Sequence, residues 1–169
     1  MSLLTAALPR QATDNALAIG GVALATIVGF WTFQALGYAP CDLCLAQRYP
    51  YYAGVPLAAV AFALAKCGSS RAVTGAMFWL LALIFAVSIV LAAYHSGVEA
   101  HLWLSPTACS GSIAAPKSGE TLLDQLATVN VVPCDVVQLR IFGLSLANWN
   151  VLVSGALALF AARAALARG

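Results

Sequence analysis

Residues 16–36 run for about 21 positions without one charged side chain. At 1.5 Å per residue a helix of that length crosses the roughly 30 Å hydrocarbon core of a bilayer. This limits the fold more than any other feature, because in lipid every backbone polar group must be satisfied internally, which leaves helices and closed barrels. Runs of similar character follow at 49–65, 72–94 and 144–162. The chain as a whole is 62% hydrophobic and 8% charged, against about 25% charged in a soluble domain, so little of it is left to form one. The expectation is an all-α membrane protein: one membrane domain over residues 1–169, built as a four-transmembrane-helix bundle with loops at 37–48 and 95–143. A cleaved signal peptide would have an apolar core of only about 7–15 residues, so the first run reads as an anchor. Its Gly21, Ala25 and Gly29 recur every fourth position and form a small-residue face for a neighbouring helix. Pro50 and Pro56 fall in the second run, the first of them in what would be its opening turn.

The second loop is the only long polar segment, with three prolines, four glycines and two cysteines between His95 and Gly143. Within it Ser118-Gly119-Glu120-Thr121 has the character of a helix start, and Leu122, Leu126 and Val129 share one helical face. That pattern predicts a short amphipathic helix lying along the membrane surface. Trp103 and Trp149 are placed as interfacial aromatics. With four spans, one side collects Arg10, Lys66, Arg71, Arg163 and Arg168 against Asp14 alone. The other holds Arg48, Lys117 and Arg140 against Asp42, Glu99, Glu120, Asp124 and Asp135. The positive-inside rule then puts both termini in the cytoplasm and both loops outside. The net charge of +2 is scattered along the chain, which offers no surface for nucleic acid.

That topology sorts the cysteines. Cys41, Cys44, Cys109 and Cys134 face the oxidising side, and Cys67 alone faces the reducing cytosol, where it reads as a free thiol without a task. Disulfides persist outside and are rare inside, so an even outer set suggests two of them. Closing the ring from Cys41 to Cys44 stabilises by only about 2 kcal/mol, whereas closing Cys109 to Cys134 gives about 3.5 kcal/mol on loop entropy. The second pair could be a staple; the first makes a poor one. Cys-x-x-Cys pairs exchange readily and commonly have perturbed thiols, so redox chemistry is the expectation for Cys41 and Cys44. A four-cysteine zinc site lacks the second short spacing of common zinc modules, and no metal is expected.

The pair opens the second span, which places Cys44 near a helix N-terminus, with Arg48 one turn further on. Both influences favour a thiolate on Cys44. A thiolate at the membrane edge can pass electrons to an acceptor dissolved in lipid, and a quinone, apolar and accepting two electrons, has those properties. The other use of Arg48 is as an anchor that snorkels to the headgroups. Pro106 and Pro133 give Cys109 and Cys134 a turn-rich setting that a soluble thiol protein can reach.

Pro40-Cys41-Asp42-Leu43-Cys44-Leu45-Ala46-Gln47-Arg48-Tyr49-Pro50-Tyr51 resembles the first-loop motif of the DsbB family, bacterial membrane thiol–quinone oxidoreductases. Tyr94-His95-Ser96-Gly97-Val98-Glu99, Pro106-Thr107-Ala108-Cys109 and Pro133-Cys134-Asp135 resemble that family's second loop, so the likeness covers nearly the whole chain. It implies a multi-pass protein of the bacterial inner membrane that reoxidises a periplasmic DsbA-like thioredoxin-fold protein and passes the electrons to ubiquinone or menaquinone. On that resemblance Cys109 forms the mixed disulfide with the partner, Cys134 exchanges with Cys41, and Cys44 is left as the thiolate facing the quinone beside Arg48. It also implies that His95 borders the quinone pocket and that the loop helix lets Cys134 travel toward Cys41. Glu99 resembles a recurring position of one branch of the family, without an assigned chemistry, and His101 receives no role.

Three other readings compete. A vitamin K epoxide reductase-like protein also pairs a Cys-x-x-Cys with a quinone, but there the motif lies in a late span and here it opens the second. A tetraspan structural protein with disulfides in its loops would have no use for a Cys-x-x-Cys beside Arg48. A metal-handling membrane protein is the third.

Overall fold

Helix boundaries follow from a few capping residues. The computed structural model describes residues 2–106 and 132–168, with side chains from Arg10 onward. Helix α1, Ser2–Ala35, ends where Gly37 adopts φ 98°, and Tyr38 N–H returns to the Phe33 carbonyl at 3.1 Å. Glycine suits that left-handed cap because it has no Cβ to clash. A short helix α2, Asp42–Ala46, has Cys41 as its N-cap, and α3, Tyr49–Lys66, has Pro50 in its first turn. Ser70 caps α4, Arg71–Glu99, by accepting the Val73 N–H at 3.3 Å. Ser145 caps α5, Leu146–Leu166, by accepting the Asn148 N–H at 3.2 Å. Just before α5, strands β1, Arg140–Ile141, and β2, Leu144–Ser145, pair antiparallel across a Phe142-Gly143 turn. This hairpin is an addition to the all-helical expectation.

The described architecture is mostly helical. Among the described residues three stretches are long and apolar enough to cross a membrane, Arg10–Ala35, Arg71–Glu99 and Leu146–Leu166. Helix α3, with 18 residues, spans about 27 Å and begins with Tyr49, Pro50, Tyr51 and Tyr52, which dilute its apolar character. The main packing is α4 on α5 and α1 on α3, with α3 on α4 joining the two pairs. The core is rich in alanine, with Ala12, Ala16 and Ala23 of α1 packed in one cluster with Ala58, Ala61 and Ala65 of α3. Gly20 lies so close to α3 that a Cβ there would meet the Ala58 Cβ at 3.3 Å.

Two boundaries differ from the sequence reading in ways that matter. Helix α1 begins well before residue 16. Helix α4 does not stop at residue 94 but runs through His95 to Glu99, since nothing between Tyr94 and Glu99 breaks a helix. Gly97 is needed there because a Cβ would sit 2.0 Å from the Trp103 ring. That indole stacks on Tyr94 and donates its N–H to the Tyr94 carbonyl at 2.9 Å. Trp149 likewise donates to the Ile141 carbonyl at 3.0 Å, fastening α5 to the hairpin. The expected amphipathic helix over Leu122, Leu126 and Val129, and Cys109 itself, lie outside the described residues.

Candidate redox site

Five of the six expected site residues lie in one place. Cys41 and Cys134 pack with Val98 in a small buried cluster, with Cys44 against it. Cys41, Cys44, Arg48 and His95 border a cavity of about 80 Å3, shared with the Phe30 and Phe33 rings of α1. The sixth residue, Cys109, is outside the described residues. The two loops are held together by Gln138 Nε2, which donates to the Ala39 carbonyl at 2.9 Å although the two are 99 residues apart.

The capping geometry sets the chemistry of the thiol pair. Cys41 is extended at the N-cap of α2, so its Sγ accepts the backbone N–H of Cys44 at 3.3 Å and lies 2.8 Å from the Cys44 Sγ. The hydrogen bond from the Cys44 thiol lowers the Cys41 pKa to about 5 against the opposing effect of burial, and His95 helps lower it. Its partner moves the other way: donation to Cys41, together with burial, pushes the Cys44 thiol up. The sequence reading placed the thiolate on Cys44. In the reduced pair it falls on Cys41, because Cys41 caps the helix and Cys44 supplies the donors. The sulfurs and His95 Nε2 lie within 4.8 Å of one another. The 2.8 Å between the sulfurs is well short of the roughly 3.8 Å that two thiolates keep on a tetrahedral zinc. The arrangement suits thiol exchange better than a metal centre.

Cys134 is disulfide-bonded, whereas Cys41, Cys44 and Cys67 are free thiols. His95 stands between the two sets, its Nε2 3.2 Å from the Cys134 carbonyl and 3.7 Å from the Cys41 Sγ. The continuation of α4 puts Glu99 one turn beyond, with Oε1 3.9 Å from the same nitrogen. Ser145 donates to the other oxygen of Glu99.

Arg48 is 6% exposed and does not snorkel out of the protein. Its guanidinium lies over the Phe30 and Trp31 rings and donates through Nη1 to Gln34 Oε1 at 2.8 Å. Its Nε is a buried donor without a hydrogen-bond partner. No acidic group neutralises Arg48 among its described contacts, and burying a cation in this way is costly unless the site uses the charge.

The family model described as disulfide bond formation protein DsbB matches residues 12–164. The chain belongs to the DsbB family. It is 29% identical over 154 residues to disulfide bond formation protein B 2 of Pseudomonas syringae pv. syringae, covering 83% of this chain and 81% of that protein. An uncharacterized protein of Rickettsia prowazekii is 24% identical over 125 residues, covering 73% of this chain and 69% of its relative. No solved structure matches the chain. As a DsbB-family protein it is a multi-pass membrane oxidoreductase of disulfide-bond formation.

Sequence reasoning missed Gln47, Asn150 and Gln34 at the site, and left Glu99 without a role. The signal available for Asn150 was an amide in an otherwise apolar span, where polar groups are expensive and normally functional.

Proposed function

We propose that this protein reoxidises a periplasmic DsbA-like thioredoxin-fold protein and passes the electron pair to a membrane quinone. In this reading α3 joins the three longer helices as a fourth span in the bacterial inner membrane, with both termini cytoplasmic. The observation that carries it is the single buried site where a disulfide-bonded Cys134 packs against the free thiol of Cys41, with Cys44 and Arg48 on the adjoining cavity.

The residues present suit a quinone. The cavity has aromatic walls from Phe30 and Phe33, and at about 80 Å3 it holds a few water-sized volumes, on the scale of a ring headgroup. The unpartnered Arg48 Nε is a donor waiting for an acceptor oxygen. When bound, a quinone supplies the two-electron acceptor that returns Cys41 and Cys44 to a disulfide.

The protein's own sulfurs do the rest. In the proposed exchange, the partner's thiolate attacks Cys109 of a Cys109–Cys134 disulfide and releases Cys134. Cys134 then attacks Cys41 of the Cys41–Cys44 disulfide, forming one S–S bond as the other breaks and leaving Cys44 with the electron pair. Bonding Cys41 to Cys134 removes the Cys41 thiolate that pushes Cys44 up in the reduced pair. Cys44 is then free to stand as the thiolate beside Arg48.

The test is quinone reduction by a reduced thioredoxin-fold partner, using the full chain in lipid. Cys44→Ser is expected to abolish turnover while the protein stays folded in the membrane; unchanged turnover overturns the reading. In cells, thiol trapping should show Cys41 and Cys44 accumulating as thiols after quinone depletion, whereas cysteines oxidised regardless of quinone would argue for a structural role.

A further inference from the structure

Behind His95 runs a line of buried polar side chains that the sulfur chemistry alone does not require. Gln47 Nε2 lies 2.6 Å from His95 Nδ1, and Gln47 Oε1 accepts from Asn150 Nδ2 at 2.6 Å. Asn150 Oδ1 accepts from the Tyr51 hydroxyl at 2.5 Å, which also lies 2.8 Å from Ser154 Oγ. Ser154 Oγ in turn reaches Ser88 Oγ at 2.8 Å. All five of these side chains, from the turn before α3 and from α3, α4 and α5, are buried. An unmatched polar group in such surroundings costs about 1–3 kcal/mol, and the alanine packing elsewhere shows that the bundle closes without them. A purely structural set could be satisfied in closed pairs. Ser154 Oγ also donates to Asn150 Oδ1 at 3.3 Å, closing a triangle with Tyr51, and Gln47 joins that triangle to one ring nitrogen.

Each link also works in both directions. Amides carry an acceptor on one side and donors on the other, and hydroxyls do both. In the present orientation donors run from Tyr51 through Asn150 and Gln47 to His95, whose Nδ1 accepts and whose Nε2–H faces the Cys134 carbonyl and the Cys41 sulfur. If both amides turn over, Gln47 Oε1 accepts an Nδ1–H and donors run from His95 toward Tyr51, Ser154 and Ser88. The histidine can thus carry or lack the Nδ1 proton while Gln47, Asn150 and Tyr51 keep their partners.

We propose that Gln47, Asn150, Tyr51 and Ser154 form a reversible orienting relay for a Cys41–His95 dyad, in which His95 takes the Cys41 thiol proton and returns it. The transfer starts from the turned-over orientation, in which His95 holds the Nδ1–H and Nε2 is unprotonated: the Cys41 S–H bond breaks and an N–H bond forms at Nε2, giving thiolate and imidazolium with no electron transferred. When Cys41 is the leaving sulfur, the same proton goes back. The logic is that of a nucleophile, a base and a third group orienting the base, with amides in the third position. Gln47 and Asn150 are positioning residues, acting through His95. The titratable or charged groups that share this site are Tyr38 after α1, Cys41 and Cys44 at the start of α2, Arg48 before α3, Tyr51 on α3 and Glu99 on α4. From α5 and its cap the neighbours are Asn150 and Ser145, which do not titrate. The inference rests on the reading of Cys41 as the exchanging sulfur.

The experiment uses the full chain in lipid discs with ring-labelled histidine and labelled side-chain amides, in a His101→Asn background that leaves His95 as the one imidazole. As pH is varied, the Gln47 and Asn150 amide signals should change with the same midpoint as the His95 ring. In Asn150→Leu the Gln47 signal should no longer follow the ring. Reduction of the Cys41–Cys44 disulfide by dithiothreitol should then slow about tenfold at neutral pH, with an altered pH profile. Tyr51→Phe keeps the ring between Phe30 and Phe85 and should slow it two- to threefold, about 0.4–0.65 kcal/mol. Amide signals that stay constant through the His95 transition overturn the relay, as does a wild-type profile in Asn150→Leu. If Asn150→Leu does not fold, a wild-type profile in Tyr51→Phe overturns it instead. Because the amide signals are read without quinone or partner, losing their coupling to His95 is distinct from a failure of quinone turnover.

Discussion

Where α1 meets α3 the interior is alanine: Ala12, Ala16, Ala23, Ala58, Ala61 and Ala65 pack together without a polar atom in their side chains. Where the turn before α3 meets α3, α4 and α5, the interior is Gln47, Tyr51, His95 and Asn150, equally buried. Both regions exclude solvent, but they do so for different reasons. Alanine lets backbones approach closely, and in lipid that close packing is a main source of helix association. Polar groups in the same setting are tolerated only when matched, so a bundle that carries so many of them in one place is organised around chemistry there. The contrast separates what holds the helices together from what they were brought together to do.

The largest expected effect is on the pH dependence of the polar region. With Cys41 lowered to about 5, its thiolate is present above that pH and lost as pH falls through it. Alkylation of Cys41 in the reduced protein by a small reagent should therefore be near its plateau at pH 7 and decline below about pH 5. A profile still rising between pH 8 and 9 would remove the distinction between this thiol and an ordinary one.

The alanine seam is expected to fail differently. Ala58→Leu should overpack the α1–α3 contact and lower stability by about 1–3 kcal/mol, measured by the loss of helix signal under denaturant, with the Cys41 alkylation profile unchanged in the folded fraction. If the profile moves with stability, the two regions are one cooperative unit. Arg48→Ala should weaken apparent quinone affinity about tenfold, about 1.4 kcal/mol, with Cys134 still disulfide-bonded. Unchanged quinone dependence would reduce Arg48 to a packing role against Phe30 and Trp31. The smallest effect is expected away from both regions. Phe142 holds φ 52° while 93% exposed at the hairpin turn, and Phe142→Asn, better suited to that backbone, should stabilise by about 0.5 kcal/mol. Thermal unfolding would show it, without change at the thiols.

Much of the architecture was legible because it is written locally. Charge-free runs of spanning length and a proline in the opening turn of α3 each carry their meaning within a few residues. The end of α4 was misjudged by five residues because His95 and Glu99 look like loop polarity in sequence. Their helical state is supported by Trp103 lying on Gly97, a contact that no local pattern contains. The motif around Cys41 and Cys44 was likewise readable, and so was the family to which it belongs.

What the sequence determined by itself is therefore the membrane class, the redox-capable Cys-x-x-Cys and the company of Arg48. Tertiary structure decided which sulfur of the reduced pair carries the low pKa, that His95 stands between Cys41 and Cys134, and that Gln47 reaches Asn150 across 103 residues. The physical reason is one of range. Hydropathy and capping act over a turn or two of helix, while a hydrogen bond between helices depends on how far each is rotated and slid against its neighbour. That register comes from packing the whole bundle.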